Sequence, residues 1–438
     1  MSIKSQQESN SRDKVGRRKF LEAAAATAGL VFIKPQLLRG SQANSAIRIG
    51  LLGCGGRGSA DATHLIETGA ARVVALADLF QDQLDKCRSR FDTLQQTKGY
   101  SSLDASQLFV GPNAYQEMAN SREVDAIVIA TPPYFHPRHL ETVVAAGKHV
   151  YCEKPVAVDV PGALKVMEIG KRAEGKLSLD VGFQIRDCPP FVELVQRIHG
   201  GALGTIVCGE AHYFASYLDR PVWPDASPVE RRLRNWVYDR ALSGDIIVEQ
   251  NIHVIDICNW VLRANPLKAS ACGGRKGRPP QDGDVYGNYD ILFHYPDGVV
   301  VSFSSTQFAK GWWDVTERFF GTKGTSQSPY SGPLGIWGDE PWQFAGSAAP
   351  GAPEGKPAFS ATGNFSSNLE FADPEKKKAF VASITSGKFH NQAAKGSESV
   401  LSCIMARTAA YKGHEVSWEQ TLKSKEVWDP KIDLNKFR

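Results

Sequence analysis

Nothing in this chain offers a disulfide framework or a metal site. Its eight cysteines (Cys54, Cys87, Cys152, Cys188, Cys208, Cys258, Cys272 and Cys403) are scattered, with no CxxC pair and no ligand spacing. They read as small buried apolar side chains. No apolar run reaches the roughly 18 residues that a membrane span needs, and no internal repeat marks a solenoid. Excess charge of one sign is also scarce. Of the formal +4, residues 1–43 hold eight basic groups against three acidic ones, so the rest of the chain stands at −1. A near-neutral body has no broad field for nucleic acid or an anionic membrane, and no nucleic-acid partner is expected. Glycine is plentiful, at 40 residues in 438, which suits a fold with many tight strand-to-helix turns.

Ile47 to Leu52 is a short apolar run of the kind that forms a buried strand. Gly53-Cys54-Gly55-Gly56-Arg57-Gly58 follows, then a helical pattern from about Ser59 to Thr68. Strand, G-x-G-x-x-G and helix form the context of a dinucleotide fingerprint. Gly53 permits the tight turn, Gly55 lets a pyrophosphate approach the backbone, and Gly58 allows close helix–strand packing. Gly56 and Arg57 lie inside the same turn. Asp78 ends a second apolar strand twenty residues beyond Gly58, where a carboxylate grips the adenosine ribose. An acid there repels a 2′-phosphate, so NAD is favoured over NADP.

The alternation continues. Val124 to Ala130 reads as a strand ending in Thr131-Pro132-Pro133, followed by a helix carrying His136 and His139. His149 to Cys152 is another strand, ending in Glu153-Lys154-Pro155. A helix over 161–174 and a strand over 177–183 complete the series. Such alternation predicts an α/β fold with a parallel, doubly wound Rossmann sheet over residues 47–185. Its ligands sit at the carboxyl ends of the strands. Thr131, Pro132, His136 and Glu153 are therefore assigned to the cofactor.

From about Gly204 the pattern changes. Strands are expected over 206–217, 286–294, 299–308 and 315–320, with a hairpin turn at Tyr295-Pro296-Asp297-Gly298. One long helix is expected over 243–263, and two more over 369–385 and 397–411. This predicts an α+β second domain, residues 186–438, built on a large open, mostly antiparallel sheet. The Gly-, Pro- and Trp-rich stretch over 326–362 reads as a packed surface excursion.

The basic groups concentrate at the N-terminus. Gly16-Arg17-Arg18-Lys19-Phe20-Leu21 precedes a mildly apolar, Ala-rich stretch from Ala23 to Ile33, and Ser41-Gln42-Ala43 is a small-x-small cleavage site. Residues 1–43 resemble a twin-arginine signal peptide. The resemblance implies periplasmic export of the folded protein by the twin-arginine machinery, with no membrane span in the mature form. Nucleotide is scarce outside the inner membrane, so the cofactor must be held tightly.

Lys154 stands at the mouth of a strand whose neighbours bind the nucleotide, and Pro155 restricts its backbone. An ammonium there can donate to a substrate hydroxyl and stabilise a developing alkoxide. Glu249 and His253 are four apart in the predicted long helix and share one face of it. A neutral imidazole could take the hydroxyl proton, with Glu249 orienting the ring or bonding the substrate. No metal is expected.

Together Gly53-x-Gly55-x-x-Gly58, Asp78, Thr131-Pro132, Glu153-Lys154-Pro155 and the acid-x-x-x-His of Glu249 and His253 resemble the Gfo/Idh/MocA family. The family is named for glucose–fructose oxidoreductase and inositol dehydrogenase. The resemblance covers the chain from about residue 47 onward. It implies a Rossmann domain followed by an open-sheet domain that mediates homo-oligomers, a dimer or tetramer. It implies hydride transfer between a tightly bound nicotinamide cofactor and a sugar, glycoside or polyol hydroxyl carbon, with Lys154 and His253 catalytic. It also places Gln184 and Arg186 near nicotinamide or substrate. Arg186, Trp236, Glu249 and His253 are assigned to a carbohydrate substrate. Glu249 stands where the family usually has Asp, and its extra methylene alters the reach. A second reading is a redox-neutral glycosidase or lyase that oxidises transiently and eliminates. A third is a sugar-binding protein that kept the fold without catalysis.

Overall fold

The computed structural model describes residues 46–279, 283–310, 312–346 and 367–437. The signal segment expected over 1–43 lies outside them, as do residues 347–362 of the Gly- and Pro-rich stretch.

The first half alternates strand and helix: β1 (Ile47–Leu52), α1 (Gly56–Glu67), β2 (Ala71–Asp78), α2 (Gln81–Thr97), β3 (Leu108–Val110), α3 (Ala114–Asn120), β4 (Ala126–Ile129), α4 (His136–Ala145), β5 (His149–Cys152), α5 (Val160–Ala173) and β6 (Leu179–Val181). The six strands are all parallel, in the order β3-β2-β1-β4-β5-β6. Side chains alternate between two apolar layers. Ile47, Ile49, Leu51, Ala126 and Val128 pack with Leu65, Ile66 and Phe91. Leu52, Ile127 and Ile129 pack with Met118, Leu140 and Val143 on the opposite face. Each fully buried Leu, Ile or Phe contributes about 1.5–3 kcal/mol.

The second half carries α6 (Pro189–His199), β7 (Ile206–Phe214), α7 (Pro228–Arg234), α8 (Arg240–Ser243), α9 (Ile246–Glu249), α10 (Ile252–Leu262), β8 (Lys268–Gly274), β9 (Asn288–His294), β10 (Val300–Thr306) and β11 (Asp314–Gly321). The short strands β12 (Gly324–Gln327), β13 (Gly335–Gly338) and β14 (Trp342–Gln343) follow, then α11 (Ala372–Ser386), α12 (Ala393–Lys412) and β15 (Val416–Ser417). The sheet runs β14-β13-β12-β11-β7-β10-β9-β8-β15 and is antiparallel except for the β7–β10 pair.

Two expectations need correction. The single helix over 243–263 is broken twice: α8 ends at Ser243, and α9 and α10 follow as separate pieces. Gly244 (φ +85°) and Asp245 (φ +76°) break it first. The buried Asp245 carboxylate accepts from Ile246 N at 2.6 Å and from the Tyr411 hydroxyl at 2.6 Å, which holds the break open. A wider turn, Asn251 N to Ile246 O at 2.9 Å, then separates α9 from α10. The first sheet also takes cover from far down the chain: Phe380 and Val381 of α11 sit in the layer of β1, α1 and α2.

Candidate active site

The carboxyl ends of the central strands open on one cleft of about 560 Å³. At its floor, Gly53 has φ +99°, and a Cβ there would stand 2.6 Å from Ala130 O. Gly55 is the N-cap of α1 and makes no side-chain capping bond. A Cβ on Gly55 would meet nothing within 4 Å, so open space lies in front of the helix's first N–H groups. That cradle suits a phosphate. Asp78 marks one end of the cleft. Its Oδ2 accepts from Cys54 N at 2.7 Å and its Oδ1 from Phe80 N at 2.9 Å, which fixes the carboxylate; burial raises its pKa.

Lys154 and His253 mark the other end. The Lys154–Pro155 peptide is cis. Lys154 Nζ donates to Glu249 O at 2.7 Å and to Glu249 Oε1 at 3.3 Å. His253 is buried, and its Nδ1 has no hydrogen-bond partner among the described residues. Burial holds this imidazole well below the usual histidine value, and the Lys154 and Arg57 charges add to that. The ring is therefore neutral, with a lone pair free to accept a proton. Gln184 and Gln250 also line the cleft and leave Oε1 and Nε2 respectively unpaired. Orphaned buried polar atoms beside an open glycine cradle fit a polar nucleotide and a hydroxylated substrate.

The cleft also collects Thr131, Pro132, Glu153 and Trp236. Thr131 Oγ1 is 3.0 Å from Nδ1 of His139, a cleft-lining residue that the sequence reading assigned no role. Two assigned residues lie outside the cleft lining, and a third lines it with its charge already used. His136 is buried behind the site, with Nδ1 2.7 Å from Pro155 O and Nε2 2.7 Å from Thr131 O, and the neutral ring donates its one N–H to one of these carbonyls. Burial pushes its pKa down to about 4. Arg186 is held by Asp256 at 2.8 and 2.9 Å and lies over the Trp260 ring, outside the cleft lining. Arg57 touches the cleft wall, but its guanidinium is spent on acids. It donates to Asp373 at 2.8 and 2.7 Å and to Glu153 Oε1 at 3.0 Å, with Asp61 at 3.1 Å. Lys377 Nζ completes this buried cluster, 2.6 Å from Asp61 and 3.2 Å from Asp373. Phe80, Arg220, Trp223, Arg234 and Gln250 carried no recognised motif, yet they line the cleft. Among the described residues no group of three or more His, Cys, Asp or Glu could hold a metal, and no helix is long and apolar enough to cross a membrane.

Residues 47–181 match the oxidoreductase family with an NAD-binding Rossmann fold, and residues 191–327 match the GFO/IDH/MocA C-terminal domain. The chain belongs to the Gfo/Idh/MocA family. As a member it is an oxidoreductase with an NAD-binding domain, and the cleft described above lies at that domain's strand ends. An inositol 2-dehydrogenase from Rhizobium meliloti (strain 1021) is 26% identical over 294 residues, which span 66% of this chain and 78% of the relative. In fold, the chain is similar to aldose-aldose oxidoreductase from Caulobacter crescentus complexed with glycerol. That likeness has a TM-score of 0.65 and 18% identity, over 85% of this chain and 99% of that one. A levoglucosan dehydrogenase complexed with NADH and levoglucosan gives a TM-score of 0.65 and 20% identity, over 86% of this chain and 100% of that one.

Proposed function

We propose that this Gfo/Idh/MocA protein oxidises a CH–OH group of a sugar, glycoside or polyol, with NAD preferred over NADP. The observation that carries the reading is the meeting of Lys154 and His253, 99 positions apart, in one cleft with the glycine turn. NAD, held over Gly53 and Gly55 with Asp78 at its adenosine end, would supply the hydride acceptor. His253, a neutral imidazole in the cleft lining, accepts the hydroxyl proton. Lys154 holds the substrate oxygen and favours its negative charge. Glu249 O and Oε1 hold Lys154 in place. Gln184, Gln250 and Trp236 offer polar and aromatic partners for hydroxyls.

The test is a panel of glycosides, aldoses and polyols with the absorbance of reduced nicotinamide followed. Substrate-dependent NADH that disappears in Lys154→Ala is the expected result. Phenol released from aryl glycosides without net NADH would replace this reading with redox-neutral cleavage.

The location is part of the same reading. Arg17-Arg18 before an Ala-rich stretch supports twin-arginine export, with the cofactor loaded before transport and tightly retained. Export blocked in Arg17→Lys/Arg18→Lys cells, seen by fractionation, is the expected outcome; unchanged periplasmic yield would refute it. The wide second sheet supports a homo-oligomer, which light scattering would size.

A further inference from the structure

The cleft has a roof as well as a floor. The chain between β7 and α8 leaves the second sheet and returns across the cleft mouth, and it supplies Leu218, Arg220, Trp223, Arg234 and Trp236 to the lining. It is anchored at two places. Near its start, the Leu218 carbonyl accepts from the Tyr238 hydroxyl. Further on, the Arg234 guanidinium is sandwiched 3.9 Å from the Phe80 ring centroid and 4.3 Å from that of Trp223. Arg234 also donates to both oxygens of Asp82, at 3.1 and 2.8 Å. Phe80 and Asp82 follow Asp78, so this second anchor lies at the adenosine end.

Arg220 stands in the chain between the two anchors. Five Lys and Arg side chains line the cleft: Arg57, Lys86, Lys154, Arg220 and Arg234. Four of them have a carboxylate within 4 Å. Among the described residues Arg220 has none, and its Nε is buried without a hydrogen-bond partner. A guanidinium in a cleft needs an anion to offset its desolvation. Asp78 lies near a different cation, Arg234, and each of its oxygens already accepts a backbone N–H group. Arg220 and the glycine cradle line the same cleft.

We propose that Arg220 is the positive charge that meets the pyrophosphate of the nucleotide, closing from the second domain over the phosphate cradle of the first. Arg234 pins that segment to the adenosine side. The glycine turn brings its own arginine, but Arg57 is committed to Asp373, Glu153 and Asp61, so the charge comes from across the cleft. The inference deepens the proposed function, since it rests on a dinucleotide lying over Gly55.

The test is equilibrium binding of three probes, NAD, ADP-ribose and adenosine, to the full chain stripped of nucleotide. Arg220→Ala should weaken NAD and ADP-ribose by about 10- to 100-fold, as loss of a charged hydrogen bond implies. Adenosine, which lacks the pyrophosphate, should bind as before. Arg220→Lys should recover part of the loss. Arg234→Leu, which frees the segment, should weaken ADP-ribose as well. Equal ADP-ribose affinity in wild type and Arg220→Ala overturns the assignment, and so does an equal loss for adenosine. A protein that binds ADP-ribose in this pattern yet reduces NAD with no carbohydrate would instead refute the proposed substrate class alone.

Discussion

The Lys154 ammonium lies 2.7 Å from the backbone carbonyl oxygen of Glu249 and 3.3 Å from its carboxylate. The shorter bond belongs to the main chain, so it survives substitution of the side chain. Glu249→Gln should therefore keep Lys154 in place and lower kcat by about 10-fold or less, the scale of one weakened charge-assisted bond. Lys154→Met, which removes the ammonium itself, should cost about 100-fold or more. Steady-state kinetics on any substrate found in the panel decides it. If Glu249→Gln is as damaging as Lys154→Met, the carboxylate does more than hold the lysine.

His253 carries a pH prediction with a definite sign. The neutral imidazole is the active form, and burial followed by the Lys154 charge keeps its pKa well below 6.5. The base therefore stays competent below pH 6.5, and the acid limb of kcat/KM falls at lower pH than for an ordinary histidine. His253→Ala should lower kcat by about 10²- to 10⁴-fold and abolish that limb. A limb at or above pH 6.5 that persists in His253→Ala would move the base elsewhere.

Much of the first domain is legible because its strands are buried on both faces, so Ile47 to Leu52 and Ala126 to Ile129 stand out as apolar runs closed by glycine or proline. β3 escapes because Leu108–Val110 is a three-residue edge strand with too little burial to leave a pattern. The helix over 243–263 misleads because apolar periodicity persists across Gly244, while the break depends on Asp245 reaching Tyr411, 166 positions away. Spacing also says where a residue sits, not where its side chain points. Arg57 is in the glycine turn as read, but its partner Asp373 is 316 positions distant. Arg186 follows Gln184 by two, yet Asp256 draws it off the cleft. The roof segment has no motif at all, since an arginine between aromatics is ordinary surface composition until the fold folds it over.

Gly55 separates binding from folding. Its backbone, φ −72° and ψ −175°, is extended and open to any residue, and a Cβ meets nothing within 4 Å. Gly55→Val should fold with its Tm unchanged within a few degrees, yet its side chain fills the phosphate cradle. We expect NAD affinity to fall by about 100-fold, the cost of displacing several phosphate contacts. Thermal melts and nucleotide titration on the same sample check both halves. Undiminished NAD binding would place the pyrophosphate away from the turn.

In the cluster behind Glu153, Asp61 should make stability depend on pH in a direction opposite to that of most carboxylates. Asp61, Glu153 and Asp373 face only Arg57 and Lys377 there, with Tyr151 donated to by Lys377 at 2.7 Å. Three buried acids against two bases leave one charge unbalanced, and burial raises Asp61 from 3.8 to about 7. Between those values the folded protein holds a proton that the unfolded chain has released. This contribution is therefore complete below pH 3.8 and is lost as pH rises toward 7. Asp61→Asn cannot titrate, so the Tm of wild type minus that of Asp61→Asn should decline from about pH 5 to about pH 7.5. Arg57→Leu breaks the cluster outright and should cost about 3–5 kcal/mol, because it strands buried carboxylates. A difference that stays flat with pH would mean that the folded cluster holds no extra proton in this range.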